Sequence, residues 1–268
     1  MDSVILAKEA RKSSIKMVHK ARASHIASAL SIIDILSVLY DGILEVSPAR
    51  LNDPCRDRFI LSKGHACVGV YSVLAEKGFF SKEMLEDYGK DGSVLMNHVS
   101  HKVPGVEFST GSLGHGLPFA VGKALAAKKI GAKWKIYVLM SDGELGEGSN
   151  WEAILFASHH KLDNLVVIID SNNMQSLDTV ENTLGLEPLA EKFKAFGWAV
   201  CDSDGHDHSA LRSYLSSTPW SNEKPSILIA RTTKGKGVSF MENTVEWHYR
   251  SPNDEQLSQA ITEIEAVS

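Results

Sequence analysis

Two short polar turns, Ser141-Asp142-Gly143 and Asp170-Ser171-Asn172-Asn173, each follow an apolar run, at residues 136–140 and 165–169. Runs of this kind suit buried parallel strands. If the two strands share a sheet, both turns open on its carboxyl edge, where open α/β sheets bind ligands. Asp142 then supplies a carboxylate and Asn172 an amide oxygen at one place. With a backbone carbonyl they form the hard-oxygen set that Mg²⁺ accepts alongside phosphate oxygens and water. The spacing therefore points to a divalent metal held against a diphosphate. Either turn alone would mean little, because Asp, Asn and Gly favour turns for conformational reasons.

Histidines supply the second kind of chemistry. His25 lies in Ala23-Ser24-His25-Ile26, His65 in Leu61-Ser62-Lys63-Gly64-His65, and His248 lies downstream of Lys234-Gly235-Lys236-Gly237. An imidazole titrates near neutrality, donates to phosphate or to a developing alkoxide, and accepts a proton from a hydroxyl. His19, His159, His160 and His208 read as ordinary surface or core residues, and His206 as part of the turn Asp204-Gly205-His206-Asp207.

The elements that must position these groups follow from periodicity. Apolar residues at helical spacing include Ile5, Ile15 and Val18, then Ile32, Ile35, Leu36 and Leu39, which predicts two helices before the first motif. A third is expected over 67–77, ending at Gly78. Residues 88–108 read as a long loop of the kind often used in function. A helix to Lys129 follows Gly111-Ser112-Leu113-Gly114, with Ala120, Ala124 and Ala127 allowing close packing and the helix N-terminus offering amides to a ligand. Beyond Lys135, strand-like stretches at 136–140, 165–169, 198–201 and 226–230 alternate with helix-like ones at 150–159, 188–196 and 208–216, and a short helix closes the chain beyond Pro252. Such alternation predicts an α/β fold, a parallel sheet with helices on both faces, as one domain over 1–268.

Taken together, the blocks resemble the transketolase version of the thiamine-diphosphate fingerprint. Ala23–Ile26, the 61–65 block, Ser109-Thr110-Gly111-Ser112-Leu113-Gly114, the Asp142…Asn172 pair, and Lys234–Gly237 with His248 all match transketolase blocks in the same order. The resemblance spans the whole chain and implies a thiamine-diphosphate-binding fold. It implies thiamine diphosphate with Mg²⁺ (or Ca²⁺ or Mn²⁺), the metal held by Asp142, Asn172 and the backbone carbonyl of Met174. His65, Gly111, Leu113, Gly143 and Glu147 would contact the cofactor. His25 and His248 would be catalytic, facing donor or acceptor hydroxyls. The implied reaction moves a two-carbon ketol unit from a ketose to an aldose, with sugars or sugar phosphates as substrates.

Three departures from the family pattern stand out. Ser141 replaces a glycine beside the diphosphate, and His115 replaces a glutamine on the pyrimidine side. In Asn97-His98-Val99-Ser100-His101 the usual Gly-His-Pro is altered, so His98 or His101 takes over a substrate contact or the acceptor pocket has changed. The glutamate that activates the aminopyrimidine lies, in the family, in a second, pyrimidine-binding domain, and no glutamate here matches it. The expectation is therefore an N-terminal subunit of a split transketolase, completed by a pyrimidine-domain C-terminal subunit in an α2β2 heterotetramer. Two alternatives stand beside it: the alpha subunit of a thiamine-dependent 2-oxo acid dehydrogenase component, which shares the metal motif, and a non-catalytic cofactor-binding scaffold, which would fit the departures at Ser141 and Asn97.

Composition is consistent with a cytoplasmic enzyme. A hydrophobic fraction of 43% over 268 residues can bury a full core, and a net charge of −5 offers no basic footprint for nucleic acid or an anionic membrane. Cys55, Cys67 and Cys201 form no metal-ligand or disulfide pattern. No apolar stretch approaches the ~20 residues that span a bilayer.

Overall fold

The computed structural model describes residues 2–266. Five strands form one parallel sheet among them: β1 (Arg58–Leu61), β2 (Ile136–Ser141), β3 (Leu165–Ser171), β4 (Ala199–Asp204) and β5 (Ser226–Arg231), in the spatial order β1-β2-β3-β5-β4. Side chains along a strand alternate between faces, so a sheet covered on both sides needs apolar residues at every position. The central strands meet that demand. Tyr137, Leu139, Val166, Ile168 and Leu228 belong to one core, whereas Ile136, Val138, Met140, Val167, Ile169 and Ile227 belong to the other.

The first core is closed by α1 (Ser3–Ala21), α2 (Ile26–Leu30), α3 (Ile33–Val38), α4 (Cys67–Glu76), α9 (His208–Ser216) and α10 (Asp254–Ala266). The second is closed by α5 (Gly116–Lys129), α6 (Gly148–His159) and α8 (Leu189–Ala195). A short α7 (Val180–Leu184) starts at Thr179, whose side chain accepts from the Asn182 amide. Helix α1 is capped by Asp2, which accepts from the amides of Val4 and Ile5 and so satisfies donors that have no partner within the helix. In α5, Ala120, Ala124 and Ala127 are all buried, and the helix packs directly on α6 and β2.

Periodicity alone misreads three places. Strand β1 gives no periodic signal: it is four residues long, opens on the half-buried Arg58 and runs straight into the 61–65 motif. The helix expected around Ile32–Leu39 is the short α3, set off from a separate α2 before it and followed by a widened turn at Leu39–Ile43. Residues 26–40 are buried on every side, and their polar members Ser28, Ser31, Asp34 and Ser37 are buried with the rest, so no solvent-facing side marks helical phase. Helix α7 also escapes the pattern, being a single short turn. The long loop at 88–108 is present and continues without helix or strand to His115.

Ile168 lies fully buried at the centre of β3, in register with Leu139 of β2 and Leu228 of β5. Ile168→Ala should cost about 2–5 kcal/mol, from lost burial and the cavity left in a close-packed layer. Urea unfolding measures this, and a shift below about 1 kcal/mol would show that the layer collapses around the gap.

Candidate active site

Because all five strands are parallel, their carboxyl ends lie on one edge of the sheet. There β1 leads into Ser62-Lys63-Gly64-His65, β2 into Asp142-Gly143, β3 into Asn172-Asn173 and β5 into Thr232-Thr233-Lys234. A cleft of about 170 Å³ opens over this edge, and each of these four segments contributes to it. α2 adds Ser28 and, just before its first residue, His25, and the 88–115 loop adds His98, Gly111 and Leu113.

Two backbone positions show how closely these segments meet. A Cβ on Gly64 would lie 2.3 Å from the carbonyl oxygen of Thr110, so any larger residue would push the 61–65 motif off the loop. Gly235 has φ of +84° and donates its N–H to the carbonyl of Ala27 at 3.0 Å, which seats the segment after β5 on α2.

The floor of the cleft is a group of buried charges. Asp170, fully buried, forms an ion pair with Lys63 and accepts from Thr232 Oγ1, from Ser31 Oγ at 2.7 Å and from Asn172 Nδ2 at 3.0 Å. Burial opposes its ionisation, but Lys63 and these donors outweigh that and hold the carboxyl below the usual range. The bond from Nδ2 fixes the Asn172 amide, leaving Oδ1 to accept from the Met174 amide at 3.0 Å.

Asp142 is bonded differently. Its oxygens receive only backbone amides, Gly143 N at 2.7 Å and Asn173 N at 2.6 Å. No cationic side chain pairs with it among the described residues, and burial together with the charge of Asp170 pushes its carboxyl up to about 6. Glu144 is also buried and braces the β2 turn, accepting from Ser62 Oγ at 2.5 Å and from Gly114 N at 2.9 Å.

Four histidines form the wall. The His25 ring centroid lies 5.2 Å from His65, 5.8 Å from His98 and 5.0 Å from His248. His25 occupies the left-handed region at φ +70°, a conformation disfavoured for a residue with a Cβ, and its amide is held by the His248 carbonyl at 2.8 Å. Burial is the first cause that lowers each ring. His25 falls to about 4, with the charges of His98, Lys234 and Lys63 adding to it. His248 falls to about 3, His65 lies well below its ordinary value, and His98 is lowered too. Lys234 is almost wholly buried, its ammonium bonded to the Gln175 carbonyl at 2.8 Å and to His248 Nδ1 at 3.1 Å, and burial lowers it to about 8. An ammonium can only donate, so Nδ1 of His248 is the acceptor and its proton sits on Nε2.

The structure thus brings together His25, His65, His98, His248, Gly111, Leu113, Gly143, Asp142, Asn172 and Met174, which all border this edge. Two candidates do not line the cleft. His101 is exposed and bonded to Ser109 Oγ at 2.7 Å, and Glu147 is exposed at the N-terminus of α6. The sequence reading assigns no role to Lys63 or Asp170, although charged residues beside motif residues at strand ends are a usable signal. His206, read as part of the Asp204–Asp207 turn, and His208, read as an ordinary surface or core residue, both also bond the buried carboxylate of Asp34, at 2.7 and 2.9 Å.

Comparison with known proteins agrees with this geometry. Residues 3–264 match the family model for the transketolase thiamine diphosphate binding domain. The chain is 44% identical over 254 residues to an apulose-4-phosphate transketolase subunit from Phocaeicola vulgatus, covering 95% of this chain and 90% of that protein. The Actinobacillus succinogenes protein of the same name is 45% identical, with 95% and 92% covered. The fold superimposes on transketolase from Leishmania mexicana with a TM-score of 0.94 at 26% identity, covering 99% of this chain but 41% of that one. The chain therefore spans about two fifths of that solved transketolase and nearly all of the two apulose-4-phosphate transketolase subunits.

Neutral buried histidines make stability depend on pH. Their folded values lie below the unfolded value of about 6.5, so the unfolded chain binds more protons and stability falls as pH drops through that point. Asp142, whose carboxyl is raised to about 6, acts oppositely, adding stability as pH falls through that value, and the raised carboxyl of Glu144 works in the same direction. Between pH 7.5 and 6 the urea midpoint should therefore fall more steeply for the wild type than for His65→Gln. Parallel curves would show that His65 is not held neutral by the fold.

Proposed function

The chain belongs to the transketolase thiamine-diphosphate-binding family as the N-terminal subunit of a split transketolase, and we propose that a pyrimidine-domain partner completes its active site. The observation that carries this reading is the wall of four neutral histidines standing over an edge that presents Lys63, Lys234, Asp142 and Asn172. Among the described residues no glutamate lines the cleft itself, and Glu181 and Glu187 line only the adjoining pocket that Asp142 and Asn172 also border. Exposed Met96, Leu177 and Tyr249 lie within two residues of cleft-lining positions, an apolar rim of the kind that obligate interfaces cover. That the two bacterial relatives are named as subunits of a transketolase fits such a partner. We assign the assembly as α2β2, the closed twofold form.

A divalent metal fits the donors present. Asp142 is a buried carboxylate with no bonded side-chain cation, and Asn172 holds a fixed amide oxygen, so both are hard donors suited to Mg²⁺, Ca²⁺ or Mn²⁺. The Met174 carbonyl would be the third protein ligand. Lys63 and Lys234 set positive charge beside the diphosphate position. Bound thiamine diphosphate supplies the nucleophilic carbon that allows a carbon–carbon bond next to a carbonyl to be broken and remade.

This chain's residues orient the substrate and manage its protons. His248 offers an Nε2–H donor, its tautomer set by Lys234, to a hydroxyl of the ketose or to the oxygen that gains charge during transfer. His25, held in its strained backbone by the His248 carbonyl, is neutral and accepts a proton from a donor hydroxyl. His98 lines the same wall and contacts the substrate, while His65, packed behind His25 and His248, faces the diphosphate. The substrates are sugars or sugar phosphates. A histidine wall suits hydroxyl-rich ketoses better than a 2-oxo acid.

The test uses the chain with its partner, Mg²⁺ and thiamine diphosphate. Ketol transfer from a ketose to an aldose is expected, with no decarboxylation of 2-oxo acids; the reverse pattern would refute the assignment. His25→Ala and His248→Ala should each lower kcat by about 10²-fold or more while cofactor affinity changes little. His65→Ala should mainly weaken cofactor binding, and Asp142→Ala should remove the Mg²⁺ dependence of that binding altogether.

A further inference from the structure

Lys234 must place a buried ammonium at the end of a long, flexible side chain, so its backbone has to be fixed from outside the cleft. The residues on either side of it are held by two side chains that never reach the cleft. The Thr233 amide donates to His206 Nε2 at 2.8 Å, and the Lys236 carbonyl accepts from Arg11 Nε at 3.3 Å. Both side chains converge on one carboxylate. Asp34 Oδ2 accepts from Arg11 Nη2 at 2.5 Å and from His206 Nδ1 at 2.7 Å. Since Nε2 of His206 accepts from a backbone amide, its proton lies on Nδ1, which makes the ring a fixed bridge from Asp34 to Thr233. Asp34 is buried in α3, and its other oxygen is taken by His208, which continues to Ser3 rather than to the loop.

We propose that Asp34, acting through His206 and Arg11, is a positioning device for Lys234: it clamps the segment after β5 from both sides and so sets the affinity of the cleft for a diphosphate. The clamp rests on the functional reading only in naming the diphosphate as the anion. Its three residues are positioning residues, touching neither substrate nor cofactor. The same logic operates around metal ligands, where groups one bond removed hold the binding atoms in orientation.

Calorimetric titration of the full chain with inorganic pyrophosphate in the presence of Mg²⁺ tests the clamp. His206→Phe should weaken pyrophosphate binding about tenfold, in the range seen for other outer-shell losses. Asp34→Asn should do the same if the phenyl ring disturbs folding, which circular dichroism monitors. His208→Phe is the control: it removes a neighbour of the same carboxylate without touching the loop, and should leave pyrophosphate affinity unchanged even where it lowers stability. In a Lys234→Met background, adding His206→Phe should cause no further loss. Equal weakening by His208→Phe and His206→Phe, or no weakening by His206→Phe, would reduce the cluster to a purely structural role and overturn the proposal. Thiamine diphosphate, titrated with the partner present, separates the two readings. A wild type that binds pyrophosphate but not thiamine diphosphate contradicts the function while leaving the clamp to be judged on its variants, and a wild type that binds neither contradicts both.

Discussion

Everything at the cleft depends on the buried pairing of Lys63 with Asp170. Burying two charges costs as much as their attraction returns, so such a pair adds little net stability, yet removing one partner alone costs about 3–5 kcal/mol because the other is stranded. Its value here is positional. Lys63 also donates to the Ser28 carbonyl at 3.1 Å, and Asp170 holds Ser31, Asn172 and Thr232, so one ion pair ties the ends of β1, β3 and β5 to α2 and the residue after it. Without it the three strand ends would still lie on one edge, but the Asn172 amide would keep only the Met174 N–H, and Thr232, two residues before Lys234, only its backbone bond to the Ser171 carbonyl.

The pair also explains why Asp142 differs from Asp170 although the Asp142 amide donates to the Asp170 carbonyl at 3.2 Å. Lys63 is committed to Asp170, leaving Asp142 a buried carboxylate with only backbone donors. A carboxylate in that state is costly for a fold whose only aim is stability and useful for one that receives a cation. The left-handed backbone of His25 tells the same story, since it is tolerated because the His248 carbonyl holds it and it points the ring at the other histidines. Strain and unpaired charge thus concentrate on one edge, while the two cores beneath are densely packed and apolar.

Much of this was legible in the sequence, for a definable reason. The runs at 136–140 and 165–169 are apolar at consecutive positions and end in polar turns, so a doubly covered parallel strand and its ligand-bearing end can be read from a few adjacent residues. What was hidden depends on long separations. Lys63 and Asp170 lie 107 positions apart, and Asp34 meets His206 across 172. No local spacing announces either contact. His206 and His208 read as ordinary because their partner is a buried aspartate in a segment whose apolar surroundings gave no hint of charge. Strand β1 was lost for the opposite reason: it is too short to show a period.

The central claim is that this edge is half of an active site. It is tested most directly by titrating a pyrimidine-domain partner into a fixed amount of the chain, with thiamine diphosphate, Mg²⁺, a ketose donor and an aldose acceptor, and following ketol transfer. No transfer is expected from the chain alone, and the rate should rise with added partner and saturate at one partner per chain. Full activity before any partner is added would contradict the claim, because the carboxylate needed to activate the aminopyrimidine would then have to lie within this chain.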